Sequence, residues 1–204
     1  AGDVLAGVIG KRRALKGFVG DVPEILKSGD RLHLLNMGGV MGVCHGHHSS
    51  FSDAIELEFL GGIVNEDQKL FNLSSFSLKP AQSLQCRIPI IIVAGTCMNS
   101  GKTVAATELI KRATSRGFRA AGAKLTGIAC LRDTLHMQDN GAIATASFLD
   151  AGLPSTVDAG DLAPVAKSII NKLTDSQPDI IIAELGDGIV GGYSVDTILK
   201  DAEF

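Results

Sequence analysis

Two parts of the chain differ in how apolar and polar positions alternate. In the first part, Arg31–Leu35 and Val40–Val43 are short apolar-rich runs separated by Gly38-Gly39, and each run predicts a strand. Farther on, Ala54–Leu60 alternates apolar with acidic residues, and this period of two predicts a half-buried strand. Residues 1–86 are therefore expected to form a small β-rich module that ends in a polar, serine-rich connection.

From about residue 87 onward, aliphatic runs alternate with segments of helical spacing. The runs predict strands at Ile88–Val93, Phe118–Lys124 and Asp179–Glu184. The segments between them predict helices over Lys102–Arg116, over Asn140–Ala151 and from about Asp161 onward. This alternation predicts the α/β class, with a mostly parallel sheet and helices on both sides. We therefore expect a second domain at residues 87–204, preceded by the β-rich module and its linker at 1–86.

Composition and charge narrow the class of protein. Hydrophobic residues make up 45% and charged residues 20%, and the net charge of −3 gives no electrostatic reason to expect nucleic acid or an anionic membrane as a partner. No apolar run approaches the roughly 18 residues of a membrane span. The four cysteines are scattered without paired spacing, which indicates reduced thiols and a cytoplasmic location. We also expect the protein to form a homo-oligomer.

The segment Gly95–Thr103 reads Gly-Thr-Cys-Met-Asn-Ser-Gly-Lys-Thr and stands between a predicted strand and a predicted helix. That context is the one a phosphate-binding P-loop requires, because backbone N–H groups of the loop and of the helix N-terminus converge on one point. The Lys102 ammonium can bridge the β- and γ-phosphates, and the Thr103 hydroxyl can ligate Mg²⁺. The candidate nucleotide-contacting residues are Gly95, Thr96, Asn99, Ser100, Gly101, Lys102 and Thr103. The sequence thus predicts a site for Mg²⁺ and ATP or GTP, with ATP favoured.

The loop has one residue more than the commonest form, since five residues rather than four separate Gly95 from Gly101. In this spacing the chain resembles dethiobiotin synthetase and its relatives among the P-loop enzymes, over roughly residues 88–192. The resemblance implies a lysine just after the second strand, which Lys124 matches. Two positions depart from the family pattern, because Cys97 stands in place of an aspartate and Leu125 in place of a proline.

The resemblance also implies a set of Mg²⁺ ligands. A later strand of the family ends in a Mg²⁺-binding glutamate followed by a glycine-rich turn, and Glu184 fits that position. A further ligand is an aspartate that opens a helix, for which Asp139 is the best candidate. Together with Thr103, these residues would present three oxygens to one ion. Lys102 and Lys124 are the candidate catalytic residues.

Three functions are compatible with these motifs. In the first, which the resemblance favours, the protein uses ATP and Mg²⁺ to transfer a γ-phosphoryl group to a small carboxylate or carbamate substrate of unknown identity, with Lys124 orienting the acceptor. In the second, it is a nucleotide-dependent switch or accessory protein in cofactor or metal assembly. A third possibility is a nucleotide sensor without turnover. The β-rich module and Cys97 fit the second function better than a compact synthetase.

Two cysteine-containing segments carry further candidate chemistry. Cys44–His48 gathers four possible metal ligands in five residues, but adjacent residues rarely converge on one ion, so a glycine- and histidine-rich turn is favoured over a metal site. Cys97 lies beside a helix N-terminus, which lowers a thiol pKa in general, although a side chain packed against the sheet is the favoured interpretation.

Overall fold

The computed structural model describes residues 2–204, which build two separate sheets in chain order. The first sheet has the strand order β2-β3-β5-β4-β6, with β1 placed beside β5. Its neighbouring strands run antiparallel except for β1 and β5, which are parallel. The strands are β1 (Val8–Ile9), β2 (Arg12–Arg13), β3 (Phe18–Asp21), β4 (Arg31–Leu34), β5 (Val40–His47) and β6 (Glu56–Glu58). This sheet confirms the predicted β-rich segment.

The second sheet has the order β7-β10-β8-β9, and every neighbouring pair in it is parallel. Its strands are β7 (Ile90–Val93), β8 (Ala120–Thr126), β9 (Thr145–Ser147) and β10 (Ile180–Leu185). The two central strands are almost entirely buried, which explains why they are aliphatic or small at nearly every position. The parallel α/β arrangement predicted for this part of the chain is confirmed.

Helices cover both faces of the second sheet. The helices are α1 (Lys102–Ser115), α2 (Leu131–Asp139), α3 (Ala163–Thr174) and α4 (Val195–Leu199), and a 3₁₀ helix spans Leu73–Phe76. Ile110 of α1 and Met137 of α2 pack on one face, whereas Ile169 of α3 and the buried Phe148 pack on the other. Within residues 2–204, the structure has no helix with the length and apolar character needed to cross a bilayer.

The helix predicted over Asn140–Ala151 is wrong. The chain there leaves α2 through Gly141, at a φ of +102°, and the N–H of Ile143 donates to the carbonyl of Ala120 at 2.9 Å. Backbone pairing with β8 therefore wins over helical propensity, and β9 forms instead. A turn follows, in which the Asp150 carboxylate accepts a hydrogen bond from the N–H of Ser147 at 2.7 Å.

The connection between the sheets is docked along its second half. The N–H of Ala81 donates to the carbonyl of Pro164 at 2.9 Å, and the N–H of Gln85 donates to the Asn171 side chain at 2.8 Å. Leu78 and Leu84 pack against the core on the α3 side of the second sheet. The segment expected to be a linker is thus partly packed against the α3 side of the second sheet. The domain division at residue 86 stays a prediction.

The first sheet rests on loops at the carboxyl ends of the second. The Tyr193 hydroxyl accepts a hydrogen bond from the N–H of Arg13 and donates one to its carbonyl, both at 3.1 Å. The Asn36 side chain donates to the carbonyl of Ala129 at 2.8 Å. Since these loops follow β10 and β8, the first sheet borders the edge at which ligands bind in open parallel sheets.

Candidate functional site

The candidate site lies where β7, β10 and β8 end side by side. Glu184 is the register partner of Val93 on one side and of Lys124 on the other. Parallel pairing brings together residues 60 positions apart in the chain, because carboxyl ends of parallel strands share one edge. The loop from Gly95 to Gly101 leaves β7 at this edge and leads directly into α1.

The loop has the strand–loop–helix geometry that the sequence predicts. Gly101 stands at the N-terminus of α1 with a φ of +88°, a conformation that favours glycine. At Gly95, a Cβ would lie 2.6 Å from the Ser100 hydroxyl oxygen, so a larger residue would displace the loop's own side chain. Asn99 also takes a left-handed conformation, with a φ of +58°. The loop is therefore compact, with left-handed backbone conformations at Asn99 and Gly101 and no free space for a side chain at Gly95.

Lys102 reaches back over the loop from the first position of α1. Its Nζ donates to the carbonyl of Cys97 at 2.7 Å and to the Ser100 hydroxyl at 3.3 Å. The side chain is buried, and desolvation lowers the pKa of its ammonium group, with the nearby Lys124 charge acting in the same direction. An anion bound at the loop would relieve both effects.

Glu184 is the centre of a network of polar side chains. The Thr103 hydroxyl donates to its Oε1 at 2.8 Å, and the Lys124 Nζ donates to the same oxygen at 2.6 Å. Lys124 also forms an ion pair with Asp133 Oδ2 at 2.9 Å. Because Glu184 is only 1% exposed, its charge depends on these neighbours for compensation.

The second oxygen of this carboxylate has no such compensation. Glu184 Oε2 is buried and finds no hydrogen-bond partner within residues 2–204. A buried, unpaired carboxylate oxygen is costly, so the arrangement favours a cation or a water molecule at that position. Within the same residues no group of three or more His, Cys, Asp or Glu side chains could hold a metal ion by itself.

The expectation that Asp139 opens a helix is wrong. Asp139 is the last residue of α2, and it is exposed. The acidic residue in the first turn of α2 is Asp133, which contacts Lys124. Six residues at a rise of about 1.5 Å each put the two aspartates about 9 Å apart along the helix. Sequence reasoning missed Asp133, because α2, in whose first turn it lies, was not predicted.

A second loop, residues 186–193, closes over the first from the end of β10. The N–H of Ile189 donates to the carbonyl of Gly95 at 3.0 Å, and a Cβ on Gly188 would collide with the carbonyl of Thr96. Asp187 has a φ of +65°, and burial raises the pKa of its carboxyl group. The same loop ends in Tyr193, so it joins the Gly95–Thr103 loop to the first sheet.

The remaining loop positions are more open. Thr96 and Asn99 are exposed, whereas the Cys97 thiol is half-buried and its carbonyl is the acceptor for Lys102. Met98 packs against the core of the sheet. The exposed side chains can meet a ligand, and the interpretation of Cys97 as a packed loop residue remains a prediction.

The Cys44–His48 segment is not the turn that the sequence favours. Cys44–His47 belongs to β5, and the pairing of β5 with β3 is interrupted by a bulge at His45. His45 contacts Asp21 at 3.3 Å, and His47 contacts Asp53 at 3.1 Å. His45 and His47 thus each meet a different carboxylate, and within residues 2–204 the segment forms no group of three ligands that could hold a metal ion.

Comparisons with known proteins leave the family open. No protein-family model matches the chain, and no curated protein sequence matches it. Among solved structures, the chain is similar to the signal recognition particle receptor FtsY from Elizabethkingia anophelis in complex with GDP, at 15% identity and a TM-score of 0.39. The match covers 64% of this chain and 43% of the receptor chain, so it spans less than half of that protein. At this level the likeness carries no argument about function.

Proposed function

We propose that the carboxyl-end site binds the triphosphate of a nucleotide together with Mg²⁺ and transfers or hydrolyses its γ-phosphoryl group. The observation that carries this proposal is the placement of Lys102 and Thr103 on one helix turn, against the buried Glu184. The ammonium lies across a glycine-constrained loop, and the hydroxyl lies 2.8 Å from the carboxylate. An anion and a divalent cation would thus each meet groups of suitable charge and hardness.

The triphosphate is held by the first loop and α1. Backbone N–H groups at the start of α1 carry partial positive charge, and α1 has 14 residues, so its dipole is fully developed at that end. Lys102 would exchange its hydrogen bonds to the loop for phosphate oxygens. The second loop contacts the first at Gly95 and Thr96 and so borders the space in which the phosphates would lie.

The residues present fit Mg²⁺. Thr103 offers a hydroxyl oxygen and Glu184 offers a carboxylate with one unpaired oxygen, and both are hard ligands of the kind that Mg²⁺ takes in small number beside water and phosphate. When bound, the ion neutralises negative charge on the phosphates. Thr103 and Glu184 would hold it, whereas Asp139 lies at the far end of α2.

Lys124 is fixed between Glu184 and Asp133 at the edge of the site. Its ammonium contacts both carboxylates, and in this proposal it orients an anionic acceptor. In the transfer, the bond between the β–γ bridging oxygen and the γ-phosphorus breaks and leaves a nucleoside diphosphate. A new bond forms from a carboxylate or carbamate oxygen to the phosphorus, giving a mixed anhydride. With water as acceptor, the product is inorganic phosphate.

Binding and turnover are tested on the whole chain. Titration calorimetry with ATP and with GTP, each with and without Mg²⁺, should show Mg²⁺-dependent binding that Lys102→Ala weakens. Lys111→Ala removes an exposed lysine from the same helix and should leave binding unchanged. Phosphate release with a panel of small carboxylic acids and amines then separates transfer from simple hydrolysis. Absence of binding by the wild type at millimolar nucleotide would contradict the proposal.

A second candidate function is supported by the second loop. Residues 186–193 contact the Gly95 carbonyl at one end and, through Tyr193, the Arg13 backbone of the first sheet at the other. Binding or loss of a phosphate group at the Gly95–Thr103 loop would therefore alter the contact between Tyr193 and the first sheet. This arrangement suits a nucleotide-dependent switch, in which hydrolysis is slow and needs no second substrate.

Hydrogen exchange distinguishes the two functions. In a switch, amides of residues 12–21 change protection between the diphosphate and triphosphate states, and Tyr193→Phe uncouples this response without loss of nucleotide affinity. In a synthetase, the response of this sheet is the same in both nucleotide states, and turnover depends on an added acceptor.

A further inference from the structure

Residues 60–72, here named the arm, project from the protein. All thirteen are exposed. They form a small hairpin, in which Val64 and Leu70 make an antiparallel bridge and the N–H of Phe71 donates to the carbonyl of Ile63 at 2.7 Å. From outside the arm, the Phe76 ring contacts that of Phe71 with 4.7 Å between the centroids, but a two-stranded hairpin is marginally stable in water. The arm is therefore expected to be stabilised by packing against another surface.

The composition of the arm is unusual for an exposed hairpin. Its five large apolar residues are Leu60, Ile63, Val64, Leu70 and Phe71, and Phe71 is 56% exposed. Its turn carries Glu66 and Asp67. Exposed apolar side chains gathered on one short segment in this way are typical of an interface.

An apolar groove of about 310 Å³ lies elsewhere on the chain, between α1 and β7. Ile91, Leu109 and Phe118 line it, and all three are exposed. Arg112 and Arg116 also line it, together with Asp179. Among the described strands, β7 pairs only with β10, so this edge of the sheet is open on the groove side.

The groove and the base of the arm lie on opposite faces of the second sheet. The chain leaving the arm docks on the α3 face, where the N–H of Leu78 donates to the carbonyl of Asp150 at 2.8 Å. The groove belongs to the α1 face. The groove thus lies on the face of the second sheet opposite to the one on which the chain leaving the arm is docked.

The total exposed surface agrees with an unfilled interface. A compact monomer of 21.2 kDa exposes about 9,100 Å², whereas this chain exposes 11348 Å². The excess of about 2,300 Å² exceeds the roughly 800 Å² that each partner buries in a stable complex of standard size.

We propose that the arm of one copy of this chain docks into the α1–β7 groove of a second copy. Apolar side chains of the arm cover the groove, and Glu66 and Asp67 meet Arg112 and Arg116. Reciprocal exchange of two arms closes the assembly as a two-fold dimer. The acceptor groove lies at the amino ends of β7 and β10, away from the carboxyl-end site, so the dimer does not depend on the proposed nucleotide function.

The test uses two charge-reversal variants of the full chain. The arm variant is Glu66→Lys/Asp67→Lys, and the groove variant is Arg112→Glu/Arg116→Glu. In sedimentation velocity, the wild type should have twice the mass of one chain. Each variant alone should sediment as a monomer, with a dimer dissociation constant raised by at least about tenfold, because like charges then face each other.

The decisive measurement is an equimolar mixture of the two variants. The lysines of one chain then meet the glutamates introduced in the other, and the native acidic tip meets the native arginines, so the mixture should dimerise although neither component does. Asp3→Lys/Glu24→Lys gives the same change in net charge as the arm variant on exposed residues outside the arm, and it should remain dimeric. A monomeric wild type overturns the proposal, and so does a mixture that stays monomeric. Dimers of both variants alone would equally overturn it.

Discussion

The Glu184 site and the Cys44–His48 strand hold comparable numbers of chemically capable side chains, yet only one of them forms a concentrated site. Glu184, Lys124 and Thr103 come from distant parts of the sequence and lie within hydrogen-bond distance. The histidines are sequence neighbours, and the strand directs them to different partners. Closeness in sequence therefore says little about convergence, whereas a shared edge of parallel strands enforces it.

The largest effect is expected from breaking the charge balance of Glu184. Lys124→Met removes the ammonium 2.6 Å from Oε1 and leaves a buried carboxylate without its cation. The free energy of unfolding should fall by about 3–5 kcal/mol in urea denaturation. The double variant Lys124→Met/Glu184→Gln should recover much of that loss. A loss below about 1 kcal/mol in the single variant would show that the pair is not coupled in this way.

The next effect concerns turnover rather than stability. Lys102→Ala should lower kcat for phosphate release by about 10²–10³-fold, because it removes the cation aimed at the transferring charge. Lys111→Ala on the same helix is the matched control. Equal rates for the two variants would remove Lys102 from the mechanism.

Asp133 and Asp139 lie at opposite ends of α2, and their substitution compares a residue that contacts the site with one that does not. Asp133→Asn should lower turnover by about tenfold, because it loosens the Lys124 ammonium that it holds at 2.9 Å. Asp139→Asn should leave turnover and Mg²⁺ dependence unchanged, because its side chain is exposed at the other end of the helix. Loss of Mg²⁺ dependence in Asp139→Asn would instead show that Asp139 is a Mg²⁺ ligand.

The lowered pKa of Lys102 predicts a pH signature of binding. Burial disfavours its charged form in the free protein, and a bound triphosphate restores it, so the pKa rises on binding. At alkaline pH, between the two pKa values, binding should take up a proton. Below the lowered pKa the lysine is charged in both states, and uptake should vanish. Calorimetry in buffers of different ionisation enthalpy measures this uptake, and Lys102→Ala should lack it.

The smallest effect is expected at the strand of histidines. His45→Ala/His47→Ala should leave Zn²⁺ binding, nucleotide turnover and Mg²⁺ dependence unchanged. Stability should change by no more than about 1 kcal/mol, as for exposed ion pairs. If the wild type binds Zn²⁺ stoichiometrically and this variant does not, the Cys44–His48 segment is a metal site, contrary to this prediction.

Local patterns were sufficient for much of the site. The aliphatic run before Gly95 and the helical spacing after Lys102 predicted β7, the loop and α1 to within a few residues. Lys124 and Glu184 were recognisable because each stands at the end of a predicted aliphatic run and matches the family pattern, although β8 continues to Thr126 and β10 to Leu185. Asp133 was not, because nothing in its local sequence records that α2 begins beside the end of β8.

The helix predicted at Asn140–Ala151 failed for a related reason. Its apolar residues satisfy a helical spacing, but Ala146 and Phe148 are buried against the sheet, and the backbone pairs with β8. Pairing with an existing strand satisfies hydrogen bonds and buries these side chains together, and local propensity is too weak to resist it.

The sequence by itself determined the alternation of strands and helices and the glycine-constrained loop, and it supplied the residues that we propose to contact phosphate and Mg²⁺. These features depend on backbone propensity, steric freedom at glycine and side-chain chemistry, which are local properties. The tertiary structure alone decided that Lys124 lies between Glu184 and Asp133, that Asp139 lies elsewhere, and that Tyr193 ties the second loop to the first sheet. Those outcomes depend on strand order and register, which pair residues through space and leave no trace in the neighbouring sequence.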